Sequence, residues 1–257
     1  MKDFTLSIYE SMLSVLQLNK FEFLTVGEYF NIPRPIQKNL LILLRHDVDR
    51  APDNALRMAK LENELGVKST YYFRIKQQTF VPEVIKGIVN LGHEIGYHYE
   101  CLSDTNGNYE EAIEDFKINL KKLRAFYPIK NIAMHGRPTS KWDSRLLWNR
   151  YDYKSFKIIS EPYFDIDFNQ MLYITDAGRS WDNERINLRD KVETKYKNHF
   201  KRIDDIISAI EAGQIPNKIM FNIHPEHWAS SSLEWYKILI LRKIKNSAKS
   251  LILRTTN

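Results

Sequence analysis

Two aspartates, Asp47 and Asp49, directly follow an apolar run in the stretch LILLRHDVD, residues 41–49. Four apolar residues bounded by a polar cluster are typical of a buried parallel strand. Side chains alternate along a strand, so Asp47 and Asp49 share one face and His46 takes the other. Two neighbouring carboxylates repel each other unless a cation or a shared proton lies between them. The pair therefore indicates a divalent metal site, with a helix cap bound to Arg50 as the alternative.

Later apolar runs along the chain also end in polar side chains, and helical patterns separate these runs. Strand and helix in alternation predict a parallel sheet or barrel. In such folds the chemistry lies at the carboxyl ends of the strands, where these polar side chains fall. They are His98, His135, Asp176 and His224.

The chain has 257 residues and no composition shift that would divide it, so we expect one domain over 1–257. Its core spans about 41–228, with an accessory N-terminal segment at 1–40 and a basic C-terminal helix at 229–257. No run of about 18 apolar residues occurs, so no transmembrane helix is expected. The N-terminus is a poor secretory signal, which predicts a cytoplasmic protein. The single cysteine, Cys101, excludes an intramolecular disulfide and a multi-cysteine zinc site.

Positive charge is concentrated at the end of the chain. From Glu234 to Asn257 there are six lysines and arginines against one glutamate, so nearly all of the formal net charge of +6 lies there. The remaining body is close to neutral, which argues against a nucleic-acid partner. The basic segment with its interleaved apolar residues fits peripheral contact with an anionic membrane. The alternative, which we favour, is a helix whose apolar stripe packs on the barrel.

In their order along the chain, these motifs resemble the polysaccharide deacetylase family, the NodB-homology or carbohydrate esterase family 4 proteins. That family opens with paired aspartates, and here HDVD is followed by ELGVKSTYYF. A G-H-E-I-G phrase introduces its second motif, and residues 92–98 read GHEIGYH. The phrase NIHPEHW supplies the closing histidine, His224. The resemblance covers about 41–228 and implies a distorted parallel (β/α)7 barrel, with 1–40 as an extra N-terminal helical segment.

The resemblance also implies roles for individual residues. Asp49 falls at the metal-binding aspartate and His98 at the first metal histidine, whereas Asp47 is the candidate general base. His224 matches the closing histidine, which acts as an acid or orients one. The third motif of the family carries arginine and proline, here Arg137 and Pro138, and Asp176 corresponds to a later acidic motif that would orient His224 or Arg137.

One position departs from the family pattern. The second metal histidine of the family comes four residues after the first, and here Leu102 stands in that place. Because leucine cannot bind a metal and a catalytic zinc needs about three protein ligands, the third ligand must come from elsewhere. Glu100 and His135 are the candidates, and we favour His135. The expected cofactor is a divalent metal, zinc above all, with manganese, cobalt or nickel as alternatives.

The function implied by the resemblance is metal-dependent hydrolysis of an N- or O-acyl group, chiefly acetyl, on a sugar or glycan. With a cytoplasmic location, the substrate would be a sugar intermediate of surface-polysaccharide synthesis. One alternative is a catalytically silent barrel that binds glycan or a partner enzyme, for which Leu102 is the best indication. A glycosyltransferase that uses the D-x-D motif ranks lower, because only 46 residues precede Asp47 and no glycine-rich loop lies among them.

Overall fold

Seven parallel strands form one sheet in the computed structural model, which describes residues 2–32, 40–137, 140–181, 191–197 and 199–255, with side chains as far as residue 246. Every pairing between neighbouring strands is parallel. The strands are β1 (Glu22–Leu24), β2 (Leu41–Val48), β3 (Thr70–Phe73), β4 (Glu94–Tyr99), β5 (Ile132–Met134), β6 (Leu172–Thr175) and β7 (Lys218–Ile223).

Helices connect most of the strands, as parallel neighbours require. Several begin at a proline or at a side-chain cap, and Gly66 and Gly92 follow two of them with positive φ, which is the usual helix stop. The helices are α1 (Leu6–Leu18), α2 (Val26–Asn31), α3 (Pro52–Glu64), α4 (Pro82–Asn90), α5 (Cys101–Asp104), α6 (Tyr109–Arg124), α7 (Pro162–Asp165), α8 (Ile203–Glu211) and α9 (Ser232–Thr255).

The order of the hydrogen-bonded strands is β5-β4-β3-β2-β7-β6, with β1 added to β2. Ala133 of β5 and Tyr173 of β6, on the two end strands, belong to one buried cluster on the inner face of the sheet. The sheet is therefore curled into a distorted barrel, and the predicted α/β fold class is confirmed. The segment before residue 41 supplies a strand as well as helices, because β3 pairs with β2 only from Arg45 onward and leaves the first residues of β2 free for β1.

Strand β2 crosses the middle of the sheet and is buried along its whole length. Leu41 and Leu43 point into the curl and pack in the inner cluster. Arg45 and Asp47 continue the same face by strand alternation, so the apolar inner face becomes charged at the carboxyl end of β2. Ile42, Leu44 and Val48, which alternate with these residues, point outward into the helical layers. The strand thus places charged groups at one mouth of the barrel, above an apolar interior.

Helix α9 differs from the expectation that one apolar stripe packs on the body. Trp235 and Leu239 are half-buried toward the body, but Leu233, Ile240 and Ile244 on the other side are exposed. The helix therefore carries apolar residues on two faces, of which only one is covered. No helix in the described ranges is long and apolar enough to span a bilayer.

Candidate metal centre and catalytic groups

Three potential metal ligands meet at the carboxyl ends of β2, β4 and β5. Oδ1 of Asp49 lies 2.9 Å from Nδ1 of His135 and 3.4 Å from Nε2 of His98. The two imidazole nitrogens are 3.3 Å apart. One donor atom from each residue lies within 4.8 Å of the other two. The structure thus brings Asp49, His98 and His135 together.

The orientation of His98 is fixed from behind. Its Nδ1 lies 2.9 Å from the carbonyl oxygen of Ala133 on the neighbouring strand β5. A carbonyl oxygen only accepts hydrogen bonds, so Nδ1 carries the proton and Nε2 presents its lone pair to the cluster. A backbone partner of this kind is the usual support behind a metal-binding histidine.

The three donor atoms are better suited to binding a divalent cation than to bonding with one another. Oδ1 of Asp49 is buried, yet it accepts no hydrogen bond of normal geometry from the described part of the chain. Burial raises the pKa of Asp49, but the neighbouring His135 and His98 more than offset this, and the pKa is held well below its usual range. Asp49 is therefore a carboxylate facing two imidazoles. One carboxylate oxygen and two imidazole nitrogens form a ligand set suited to catalytic zinc.

Leu102 and Glu100, which the family pattern makes relevant to the third ligand, both have other roles. Leu102 is fully buried in the outer apolar cluster and contributes packing on α5. Oε1 of Glu100 is paired with Nη2 of Arg74 at 2.6 Å and lies 3.7 Å from Nζ of Lys76. The geometry therefore favours His135 over Glu100 as the third donor.

Asp47, the candidate general base, is held by an arginine two residues earlier on the same strand. Nε and Nη2 of Arg45 donate to Oδ1 and Oδ2 of Asp47, both at 2.8 Å, and the two side chains are almost completely buried. Oδ2 of Asp47 also lies 3.6 Å from Nε2 of His98. Burial raises the pKa of Asp47, but the neighbouring Arg45 and His98 more than offset this and the pKa is lowered. Asp47 is therefore ionised beside the candidate metal ligands.

The guanidinium of Arg45 is supported by aromatic rings. Its central carbon lies 5.2 Å from the ring centre of Tyr72 and 5.0 Å from that of Tyr163, within the range of cation–π attraction. The ring of Tyr72 in turn occupies the space beside Gly96 on β4, where a Cβ atom would approach it to 2.3 Å. Gly96, the second glycine of the GHEIGYH motif, thus makes room for the ring that supports the Arg45–Asp47 pair.

His224 follows β7 and is oriented by Asp176, which follows β6. Nδ1 of His224 lies 2.7 Å from Oδ1 of Asp176, and Nε1 of Trp228 donates to Oδ2 at 2.8 Å. Burial lowers the pKa of His224, but the carboxylate of Asp176 more than offsets this, and the pKa is raised well above its usual value. His227 also lies near Asp176, with its pKa lowered to about 3 chiefly by burial, so it is neutral. A buried carboxylate therefore orients His224 and favours its protonated form.

Arg137 pairs with a residue of α5 at the rim of the site. Its Nη1 lies 3.3 Å from Oδ1 of Asp104, and 46% of its side chain is exposed at the rim. Arg45, not Arg137, pairs with Asp47, and Asp176 contacts His224. The second residue of the motif, Pro138, lies outside the described residues.

Arg45 and Glu226 are two charged groups at the site that the sequence-based selection did not include. Alternation along β2 could have identified Arg45, because it shares a face with Asp47. Glu226 lies two residues after His224, and burial together with the nearby Asp49 raises its pKa to about 7. Its Oε1 accepts from Arg242 on α9 at 3.1 Å. No periodicity signals Glu226, because it lies in a short 3-10 turn.

Of the comparisons with known proteins, only the one with solved structures found similar proteins. No protein-family model matches the chain, and no curated protein matches it. A peptidoglycan N-acetylglucosamine deacetylase, Bc1960, is 16% identical with a TM-score of 0.45, and the match covers 90% of each chain. PdaA of Bacillus subtilis, a family 4 carbohydrate esterase, is 11% identical with a TM-score of 0.42, over 91% of this chain and 84% of that one.

BA3943 of Bacillus anthracis, described as a family 4 pseudoenzyme, is 14% identical with a TM-score of 0.43 over 82% of this chain. The present chain spans 62% of the length of that pseudoenzyme. Two of these three solved structures, BA3943 and PdaA, are named as family 4 carbohydrate esterase proteins, the family that the motifs resemble.

Proposed function

We propose that the protein is a metal-dependent hydrolase that removes an N- or O-acyl group, chiefly acetyl, from a sugar. One observation carries the proposal: Asp49, His98 and His135 present three metal-binding atoms within 4.8 Å of one another at the mouth of the barrel. Asp47, which can accept a proton, and His224, which can donate one, lie beside them. This combination matches the needs of amide or ester hydrolysis, in which water is activated and a leaving group is protonated.

A divalent ion held by these three ligands would polarise the acyl carbonyl and lower the pKa of a coordinated water. The chain itself supplies the proton acceptor. Asp47 is ionised, and Arg45 holds its carboxylate in one orientation next to His98. Because both partners are buried, the position of the base is set before substrate arrives, which limits the cost of reorganisation.

The proton donor is His224. Its Nδ1–H is held by Asp176, so Nε2 is the atom left to serve the leaving group. The raised pKa of His224 keeps the imidazole protonated near neutral pH. A general acid in this state protonates the departing amine or alkoxide and is then restored by solvent.

The proposed substrate is a nucleotide- or lipid-linked sugar intermediate of surface-polysaccharide synthesis in the cytoplasm. A groove of about 550 Å³ beside the site is lined by Arg74, Lys76, Gln77 and Gln78. Arg74 also approaches the backbone carbonyl of Asp49, with 3.4 Å between Nη1 and the oxygen, so the groove adjoins the metal ligands. The amides of Gln77 and Gln78 suit the hydroxyls of such a substrate. Arg74 and Lys76 are paired with Glu100 and Asp104, but each carries further N–H donors for a phosphate.

The test is acetate release from N-acetylated amino sugars by zinc-loaded protein. Substrates would include a free oligosaccharide, a nucleotide-linked sugar and a lipid-linked sugar. We expect release from at least one, with a 10²- to 10⁴-fold loss in His224→Ala and retained zinc binding. The exposed histidine variant His199→Ala is the matched control and should keep full activity. No release from any substrate by the zinc-loaded protein would contradict the proposal.

A catalytically silent barrel is the second candidate, favoured by one observation. Leu102 occupies the place of the family's second metal histidine and is fully buried in the core. The silent barrel predicts that the protein binds a glycan but no metal. Zinc binding together with turnover supports the hydrolase, whereas glycan binding without zinc supports the silent barrel.

A further inference from the structure

Helix α9 has an outer apolar face that nothing in the described structure covers. Exposure along the helix follows the helical repeat, with half-buried residues on one side and exposed residues on the other. The exposed side is mainly apolar, and its large residues are between 49% and 82% exposed. We define the outer face as Leu233, Ile240 and Ile244.

The opposite side of α9 is fastened to the body, so the outer face cannot turn inward. Nε1 of Trp235 donates to the backbone carbonyl of Asp3 at 2.6 Å. Arg242 bonds to Glu226, and Nδ2 of Asn246 donates to the carbonyl of Gly178 at 3.0 Å. These contacts span three turns of the helix. The apolar residues of the outer face therefore remain directed away from the body.

Basic residues border the outer face on both sides. At about 100° per residue, Lys237 and Lys243 lie about 60° to either side of Ile240, and both are exposed. After Glu234 every charged residue of the helix is basic. A second copy of this helix would set lysines against lysines, which is unfavourable. An anionic lipid surface instead satisfies both the apolar residues and the positive border.

We propose that α9 lies in the plane of an anionic bilayer, with the outer face inserted at the boundary between headgroups and acyl chains. Because the covered side of α9 contacts Glu226, two residues beyond His224, the docked helix would bring that side of the barrel mouth close to the lipid. The docking surface is independent of the proposed hydrolase activity, since it needs neither metal nor substrate.

Co-sedimentation of the full chain with vesicles tests the proposal. We expect binding to phosphatidylcholine vesicles that contain phosphatidylglycerol and much weaker binding to phosphatidylcholine alone. A lysine near an anionic surface contributes about fivefold, so Lys237→Glu combined with Lys243→Glu should weaken binding at least about 25-fold. Ile240→Ser combined with Ile244→Ser should weaken it at least about tenfold. The exposed residues of α6 provide the controls Ile118→Ser and Lys121→Glu, which should bind as the wild type does.

A second readout locates the contact on the helix itself. The native Cys101 is buried, so a polarity-sensitive dye can be placed on Ile244→Cys or, as a control, on Ile118→Cys. Anionic vesicles should shift the emission of the dye at 244 to the blue and leave that at 118 unchanged. Failure to bind anionic vesicles, equal binding by the outer-face variants, or an unshifted dye at 244 would each overturn the proposal. So would self-association that the isoleucine variants abolish, since it would identify a second copy as the occupant.

Discussion

Replacement of Arg45 by methionine tests the buried ion pair that holds the candidate base. Methionine keeps much of the side-chain volume but removes the guanidinium, which donates two hydrogen bonds of 2.8 Å to Asp47. Both side chains are at most 1% exposed, so no solvent can replace the lost partner. The variant would leave a carboxylate buried and unpaired beside His98.

The expected loss of folding stability in Arg45→Met follows from this burial. Removal of one partner from a buried ion pair costs about 3–5 kcal/mol, because the remaining charge is not compensated. A second change, Asp47→Asn, removes that charge, so the double variant should regain at least about 2 kcal/mol over Arg45→Met alone. Recovery of this kind identifies the unpaired carboxylate, and not lost packing against Tyr72, as the source of the destabilisation.

Urea unfolding at pH 7 measures these differences, and the chain offers a matched control. Arg145 pairs with Asp143, also two residues away and also through Nε and Nη2, but its side chain is 27% exposed. Arg145→Met should therefore cost less than about 1 kcal/mol. A loss below about 1 kcal/mol for Arg45→Met, or a double variant no more stable than the single one, would refute the reasoning.

Three other side chains give further predictions. Burial raises the pKa of Glu62, but His46 more than offsets this, so the pKa in the folded protein lies below 4.5. Stability should therefore fall as pH drops below about 4.5, and Glu62→Gln should reduce this slope in acid unfolding curves. An unchanged slope would contradict that assignment. Burial raises the pKa of Glu161 from 4.5 to about 7, so stability should fall by about 3 kcal/mol as pH rises between these values, and Glu161→Gln should flatten the decline. Asp176→Asn should lower the turnover of an acetylated sugar about 10²- to 10⁴-fold with zinc retained, and near-normal turnover would exclude Asp176 as the residue that orients His224.

Much of the site could be predicted from local pattern. Alternation along β2 was enough to place Asp47 and Asp49 on one face, and the order of polar strand ends indicated that His98, His135 and His224 would lie at one mouth. Both predictions depend on short-range rules that hold for any parallel strand. The fold class followed from the same alternation of strands and helices.

Other parts of the site depend on contacts that no local pattern records. The sequence favoured His135 over Glu100 as third ligand, but the reason that Glu100 is engaged elsewhere is its pairing with Arg74, which follows a different strand. The location of Arg137 at the rim likewise depends on Asp104 in α5. Long-range pairs of this kind are set by how the sheet curls, and the sequence motif alone does not record them.

The C-terminal helix shows a different limit to what can be predicted from the sequence. An apolar stripe on a helix predicts a buried face, and Trp235 and Leu239 do face the body. The stripe formed by Leu233, Ile240 and Ile244 has the same spacing but remains exposed. Periodicity identifies that a face is apolar but not what covers it.

Zinc affinity measured by competition with a chelator tests the metal centre most directly. The wild type should bind one zinc ion per chain, and His135→Ala should weaken the affinity more than about 100-fold because a ligand is lost. Glu100→Gln should weaken it less than about tenfold, since Glu100 is paired with Arg74. A protein that binds no zinc, or one that loses zinc through Glu100→Gln and keeps it in His135→Ala, would contradict the proposed centre of Asp49, His98 and His135.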